Sequence, residues 1–269
     1  MKKYMIRCDM EGASGIVSYE QAEPGKSEYE EGRGYFMSDL LALIEGLQLG
    51  GADEIHVYDE HYYGRNIDLS ALPQGVVAYC GKPPYRADWA GGLNESFSGF
   101  ILLGLHSKRG TEGALLNHTY EPDLRDIRIN GRSVGEIGVE AAIAGDCGVP
   151  FQLIVGDSEG VKEARSLVAG VHGVIVKESH SEYGALCYPL EVTRARIREA
   201  AADIVRRPPS AAPFKIRGPV TLEPVFFDTQ FARKYREEYG SAVLEGDSVL
   251  ACWAEYLARK RTVQALIIS

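Results

Sequence analysis

Two carboxylates separated by one residue, Asp9 and Glu11, lie near the start of the chain. They follow residues 4–7, a short and mostly apolar run that predicts a first β-strand. In extended backbone this spacing places both side chains on the same side. Neighbouring carboxylates repel each other where water is scarce, so a cation is expected between them. A metal ion is the simplest candidate, and the alternative is a solvated strand end before a glycine turn.

Three histidines fall at or beyond the ends of predicted strands. His61 comes just after the second predicted strand, His106 ends the most hydrophobic one, and His118 lies one loop further on. In open α/β sheets, functional groups collect beyond the carboxyl ends of the strands. This shared location predicts that His61 and His106 lie close to Asp9 and Glu11.

Glu136 is a further candidate, because it opens a predicted alanine-rich helix in a position flanked by glycines. Each candidate also has an ordinary structural explanation. His61 could be a surface loop residue, His106 a strand-end histidine, and Glu136 an acid of the first helical turn that the helix dipole favours. The other histidines are predicted to be structural or on the surface: His56, His172 and His180.

The order of predicted elements indicates an α/β fold. Strands and helices alternate up to about residue 207, which predicts a three-layer αβα arrangement around a largely parallel or mixed central sheet. Residues 208–213 are rich in proline and form the clearest linker. We therefore predict a metal-binding catalytic α/β domain at residues 1–207. Residues 208–269 are predicted to form a smaller C-terminal α/β portion, either a subdomain or an extension of the same fold.

Local patterns predict individual elements. A loop rich in glycine and glutamate is predicted to run through Gly34, followed by a helix with apolar residues from 36 to 47. The Asn130-Gly131 pair predicts a tight turn. A strand is predicted over residues 214–227.

Composition and charge limit the possible partners. The chain has 269 residues, of which 45% are hydrophobic and 25% charged, as is usual for a globular protein. Its formal net charge of −9 disfavours binding to nucleic acid or to anionic membrane. The sequence has no apolar segment of signal-peptide type or of membrane-spanning length. Its five scattered cysteines suggest reduced thiols, and we expect a cytoplasmic protein.

Five short motifs occur in the order found in the D-aminopeptidase family of zinc peptidases, peptidase family M55, and the chain resembles that family. Each motif is weak alone, but five in order over roughly 130 residues are specific. The motifs are Cys8-Asp9-Met10-Glu11-Gly12, Asp59-Glu60-His61, Gly104-Leu105-His106, Asn117-His118-Thr119 and Val134-Gly135-Glu136-Ile137-Gly138.

The resemblance implies a site with two zinc ions, Asp9 as the bridging ligand and His118 as the catalytic histidine. Mixed carboxylate and imidazole ligands would also accept manganese or cobalt. The full set of implied ligands is Asp9, Glu11, His61, His106 and Glu136.

Two positions depart from the family pattern. The segment from His106 to His118 is one residue longer, which affects the placement of His118. Glu60 precedes His61 where a small residue is more usual. It adds a carboxylate that could support a ligand or face solvent.

The implied function is that of a metal-dependent aminopeptidase. Such an enzyme would remove the N-terminal residue of short peptides, including peptides with D-residues, through a zinc-activated water. His118 could act as a proton donor, an oxyanion stabiliser or a nucleophile, and these alternatives stay open. The family further implies a ring-like homo-oligomer.

Two other functions are considered. The first is a non-catalytic peptide-binding protein linked to peptide uptake. The second is a nucleotide-binding domain in which residues 11–15 cradle phosphate, although this stretch lacks the third glycine and the lysine that phosphate-binding loops use.

Overall fold

The computed structural model describes residues 1–268 as two β-sheets with surrounding helices. The strands are β1 (Lys3–Cys8), β2 (Glu54–Asp59), β3 (Val76–Tyr79), β4 (Gly99–Leu105), β5 (Leu124–Ile129), β6 (Arg132–Val134), β7 (Phe151–Asp157), β8 (His172–Ser181), β9 (Gly184–Cys187), β10 (Val220–Phe226) and β11 (Leu244–Gly246). The helices are α1 (Tyr19–Ala22), α2 (Tyr29–Gly50), α3 (Glu136–Asp146), α4 (Ser158–Leu167), α5 (Leu190–Arg206), α6 (Gln230–Tyr239) and α7 (Val249–Ile268).

The central sheet has seven strands in the order β3-β2-β1-β4-β7-β8-β9. Neighbouring strands are parallel except for the last pair, β8 and β9, which is antiparallel. Every residue of β4 is buried, as its continuous apolar sequence predicts for the middle of a parallel sheet. The predicted α/β fold with a mostly parallel sheet is confirmed.

Helices cover both faces of the central sheet and produce two separate core layers. Alternate residues of β1 point to opposite faces. Tyr4, Ile6 and Cys8 join one core cluster, which also holds buried residues of α2 and α5. Met5 joins the other cluster, which holds buried residues of α3 and α7. The sheet is therefore the middle of three layers, and Cys8 is a core residue.

The second sheet is antiparallel, with four strands in the order β11-β10-β5-β6. Strands β5 and β6 form a hairpin whose turn residues Asn130 and Gly131 both have positive φ, as the sequence pair predicts. The hairpin leads directly into α3. This sheet joins strands from both sides of residue 207, because β5 pairs with β10. The division of the chain after residue 207 stays a prediction. A protein cut at that position would lose the pairing of β5 with β10.

Some predicted element boundaries were wrong. The stretch assigned to a loop through Gly34 is helical from Tyr29 onward. Gly32 suggested a loop, but it allows a close approach: a Cβ there would lie 2.1 Å from the carbonyl oxygen of Gln21. The strand predicted over 214–227 is shorter, at Val220–Phe226. Within residues 1–268, no helix is long and apolar enough to cross a bilayer.

The ends of β1 and β4 approach each other backbone to backbone. The Gly12 amide donates to the Gly104 carbonyl oxygen at 2.7 Å, and the Asp9 amide donates to Leu103 at 2.9 Å. Gly104 has a φ of +73°, and a Cβ on it would lie 2.0 Å from the Asp9 carbonyl oxygen. Glycine is therefore required at this position, because any side chain would push the segment that carries Asp9 away.

We predict that Gly104→Ala lowers the free energy of unfolding by clearly more than the roughly 1–2 kcal/mol that a left-handed conformation costs an L-residue. The additional loss comes from the contact with Asp9. Gly110→Ala is the matched control, because Gly110 also has positive φ (+81°) but nothing within 4 Å of its Cβ position. Urea unfolding of both variants measures the difference. Equal losses would contradict the steric role of Gly104.

Candidate metal centre

Three neighbouring strands deliver the first candidate residues to one edge of the central sheet. Strand β1 lies between β2 and β4, and all three are parallel, so their carboxyl ends meet. Asp9 follows β1 directly, His61 lies two residues beyond β2, and His106 follows β4 directly. The sequence-based expectation that these side chains lie together agrees with the structure.

The Asp9 carboxylate lies between two histidines. Its Oδ1 is 2.6 Å from His61 Nδ1, and its Oδ2 is 3.6 Å from His106 Nε2. Glu11 Oε2 also approaches His61 Nδ1, at 3.2 Å. One oxygen of Asp9 therefore faces each half of the cluster, which is the position that a bridging ligand needs.

Glu136 and His118 complete the second half of the cluster. Glu136 is the first residue of α3, and its Oε1 lies 3.5 Å from His106 Nε2 and 3.8 Å from His118 Nε2. The His118 ring stacks on the His106 ring with a centroid distance of 4.0 Å. The Tyr120 amide donates to Glu136 Oε1 at 2.6 Å and holds that carboxylate in place.

Backbone carbonyl groups orient all three imidazoles. His61 Nε2 lies 2.7 Å from the Ala22 oxygen, and His106 Nδ1 lies 3.0 Å from the Ser107 oxygen. His118 Nδ1 lies 3.0 Å from the Leu116 oxygen. Because a carbonyl oxygen can only accept, the ring nitrogen facing it carries a proton, and the other nitrogen of each ring is the one that could bind a metal in the cluster.

The inward-facing atoms form two groups of possible metal ligands. One group holds Asp9, Glu11 and His61, the other His106, His118 and Glu136, and the ligand atoms of each group lie within 4.8 Å of one another. His106 Nε2 and Glu11 Oε2 are buried without a hydrogen-bond partner. A buried polar atom without a partner is costly, and a cation would remove that cost. The residues present therefore fit a metal centre of carboxylate and imidazole ligands.

The electrostatics of the cluster favour positive charge. Burial raises the pKa of Asp9, but the nearby imidazoles of His106 and His61 outweigh it and hold the pKa well below its usual value. Burial lowers the pKa of His106, but Asp9 and Glu136 outweigh it and raise the pKa to about 10. The carboxylates thus stabilise a cation at the position of the inner histidine nitrogens.

The loop that carries Glu11 is held by a buried lysine that the sequence analysis did not identify. Lys177 Nζ, at the end of the apolar part of β8, donates to the carbonyl oxygens of Glu11 (2.6 Å), Ala13 (2.7 Å) and Ile16 (2.5 Å). Burial lowers the pKa of Lys177 to about 8. Its position directly after the apolar run at residues 174–176 was the signal in the sequence.

A second buried ion cluster lies beside the metal-ligand cluster. Arg7 forms an ion pair with Glu140, and its Nη1 is 3.5 Å from Glu60 Oε1. The Tyr85 hydroxyl donates to the same Glu60 oxygen at 2.7 Å. Burial raises the pKa of Glu60 to about 7, although Arg7 acts in the opposite direction. Glu60 is therefore largely buried in this cluster, although it also lines the neighbouring cavity.

The candidate metal centre opens into a cavity of about 610 Å³. Acidic ligands line its floor, and the cations Lys82, Arg109 and Lys260 lie around its wall together with several tyrosines. The side chain of His118 is 20% exposed, whereas those of the five predicted ligands are at most 8% exposed. His118 is thus the member of the cluster most accessible to a molecule in the cavity.

Comparison with known proteins shows the family of the chain. A family model described as Peptidase_M55, D-aminopeptidase, matches residues 1–264. A D-aminopeptidase from Bacillus subtilis (strain 168) is 32% identical over 188 residues, which cover 70% of this chain and 67% of that protein. The chain therefore belongs to the D-aminopeptidase family, peptidase family M55, and the predicted membership is confirmed.

A solved structure shares the fold over almost the whole chain. It is described as the Zn-dependent D-aminopeptidase DppA from Bacillus subtilis, a self-compartmentalizing protease. The two structures have a TM-score of 0.89 and 24% sequence identity, and the match covers 97% of this chain and 98% of that one. This similarity supports the α/β architecture described above.

We predict that Lys177→Met destabilises the protein by about 3 kcal/mol or more, because three buried carbonyl groups lose their donor and each costs about 1–3 kcal/mol. Release of the loop should also displace Glu11 and weaken the uptake of divalent metal. Lys162→Met, at an exposed position of α4, is the control. Urea unfolding and a chelator competition assay measure both effects. Unchanged metal affinity in a folded Lys177→Met protein would show that the lysine does not position Glu11.

Proposed function

We propose that the protein is a metal-dependent aminopeptidase that removes the N-terminal residue of short peptides, including peptides with D-residues. The observation that carries this proposal is the orientation of three imidazoles by backbone carbonyls, which turns the other nitrogen of each ring toward buried carboxylates. Family membership supports the same activity. The relative named above is called a D-aminopeptidase, which supports the inclusion of D-residues.

The proposed metal is zinc, with two ions per chain, and manganese or cobalt would suit the same ligands. The proposed ligands are Asp9, Glu11, His61, His106 and Glu136, with Asp9 bridging. Bound zinc would supply a Lewis acid that polarises the peptide carbonyl and acidifies a water molecule. The solved structure with the same fold is described as Zn-dependent, which supports this choice.

In this proposal His118 handles a proton for the reaction. An amide leaving group needs a proton as the peptide bond breaks. His118 presents Nε2 to the cavity, because its Nδ1 proton is committed to the Leu116 carbonyl. The stacked His106 ring and the Glu136 carboxylate fix its orientation.

The function is tested by metal analysis of protein purified without chelator, together with hydrolysis of matched L- and D-aminoacyl peptides. About two zinc ions per chain with cleavage of these peptides is the expected result. Peptide binding without metal and without cleavage would instead support a non-catalytic peptide-binding protein. No metal even after reconstitution would overturn the proposed function.

We predict that Asp9→Ala loses both metal ions and all peptidase activity, because a bridging ligand serves both ions. Elemental analysis of the purified variant measures the number of ions per chain. Glu112→Ala, at an exposed loop position, is a suitable control. A variant that keeps both ions would contradict the bridging role of Asp9.

His118→Ala should differ from Asp9→Ala in its metal content. We expect it to retain the metal ions and lose about 100-fold or more in kcat, which is the usual size of a proton-transfer contribution. Metal content and steady-state kinetics are measured on the same preparation. Loss of metal would identify His118 as a ligand, in agreement with its place in the second ligand group.

We also propose that the chain forms a homo-oligomer with a ring-like shape, as the family resemblance implies. The structure with the same fold is described as a self-compartmentalizing protease, which supports this proposal. We expect sedimentation velocity to show a species several times the 29.5 kDa chain mass. A monomer at micromolar concentration would overturn it.

A further inference from the structure

A second, smaller cavity lies beside the cavity of the candidate metal centre. Its volume is about 180 Å³, and aromatic side chains form much of its wall: Tyr58, Tyr85, Tyr120, Trp253 and Tyr256. An apolar cavity of about 150 Å³ is sufficient to bind benzene. The small cavity, called the aromatic pocket below, therefore has room for one aromatic or branched aliphatic side chain.

Glu60 lies between the two cavities and lines both of them. Its residue exposure is 8%. One carboxylate oxygen, Oε1, accepts from the Tyr85 hydroxyl and lies near Arg7. The other oxygen, Oε2, is buried without a hydrogen-bond partner. A buried carboxylate oxygen without a donor is costly, so a ligand that donates a charged hydrogen bond here would be strongly favoured.

Charge in the adjacent ion cluster points to a cationic ligand. Arg7 is buried beside two acids, Glu60 and Glu140, and its shorter contact is with Glu140. Its second terminal nitrogen, Nη2, donates to the Ala90 carbonyl at 2.6 Å and forms no hydrogen bond with Glu60. One guanidinium thus contacts two carboxylates, and its contact with Glu60 is the longer of the two. Lys82 lines the same cavities and also acts on the Glu60 carboxylate, but it forms no ion pair or hydrogen bond with it and leaves Oε2 without a donor.

We propose that Glu60 binds the α-ammonium group of the peptide substrate while the aromatic pocket receives the side chain of its N-terminal residue. This inference deepens the proposed aminopeptidase function and rests on it. It names the preferred substrates as short peptides with a free N-terminus and an apolar or aromatic first residue.

The arrangement of the cavities agrees with the shape of such a substrate. The α-ammonium, the side chain and the carbonyl of the scissile bond all diverge from one Cα atom. Their three binding sites must therefore meet at one point. Six residues line both cavities: Glu60, Lys82, Tyr120, Glu121, Lys260 and Gln264. Glu60 is the one among them with a buried carboxylate oxygen that lacks a hydrogen-bond partner, so it is the candidate for the ammonium site.

Binding of small probes to the metal-loaded protein tests the inference, with any hydrolysis of their amide bond measured separately. Phenylalanine amide carries the ammonium and the ring, N-acetylphenylalanine amide lacks the charge, and alanine amide lacks the ring. Isothermal titration reports binding, and so does tryptophan fluorescence, to which Trp253 in the pocket wall contributes beside Trp89. We expect each of the two incomplete probes to bind about tenfold more weakly than phenylalanine amide, or worse.

Two variants separate the two parts of the site. Glu60→Gln should weaken phenylalanine amide about tenfold and remove the preference over the acetylated probe, with metal content unchanged. Leu257→Trp, which adds bulk to the pocket wall, should weaken phenylalanine amide but spare alanine amide. Glu199→Gln, an exposed change on α5, is the matched control. If Glu60→Gln fails to fold, the comparison of probes on the wild type and the Leu257→Trp variant still test the inference.

Two outcomes would overturn the inference. Equal binding of the charged and acetylated probes by the wild type would show that no ammonium site exists. A folded Glu60→Gln protein with wild-type selectivity would show that Glu60 only balances Arg7. If peptides are cleaved in either case, the aminopeptidase function stands alone. If the probes bind as expected and no peptide is cleaved, the ammonium site stands and the proposed function fails.

Discussion

The close approach of the β1 and β4 strand ends is the constraint on which the candidate site depends. Hydrogen bonds from Asp9 and Gly12 to the end of β4 leave no room for a side chain between the two backbones. This contact places the Asp9 carboxylate beside His106. Since β2 pairs with the other edge of β1, His61 reaches the same carboxylate from the opposite side.

Compensation of buried negative charge explains much of the surrounding structure. Asp9, Glu11 and Glu136 are buried among imidazoles whose outer nitrogens are tied to backbone carbonyls. Such a cluster is unfavourable unless a cation occupies it. Lys177 donates to the backbone carbonyls of the adjoining loop and not to the carboxylates of the cluster. It therefore holds the loop in place but is not the cation that the cluster needs.

Much of the fold was readable from local pattern. The apolar run before His106 identified a central parallel strand, and Asn130-Gly131 identified a hairpin turn. The start of α2 was misplaced because Gly32 serves a tertiary contact with Gln21, which local propensity does not contain. Short strands such as β9 and β11 were missed because three or four residues carry too little periodicity.

The sequence by itself determined which residue types stand at the strand ends, and the order of its motifs indicated the family and the ligand set. Only the tertiary structure decided which nitrogen of each imidazole faces the cluster, and that Arg7, Lys177 and Glu60 are buried around it. The physical reason is the range of the interactions. Strand periodicity is local, whereas a tautomer or a buried ion pair depends on partners distant in sequence, such as Glu11 and Lys177, which are 166 residues apart.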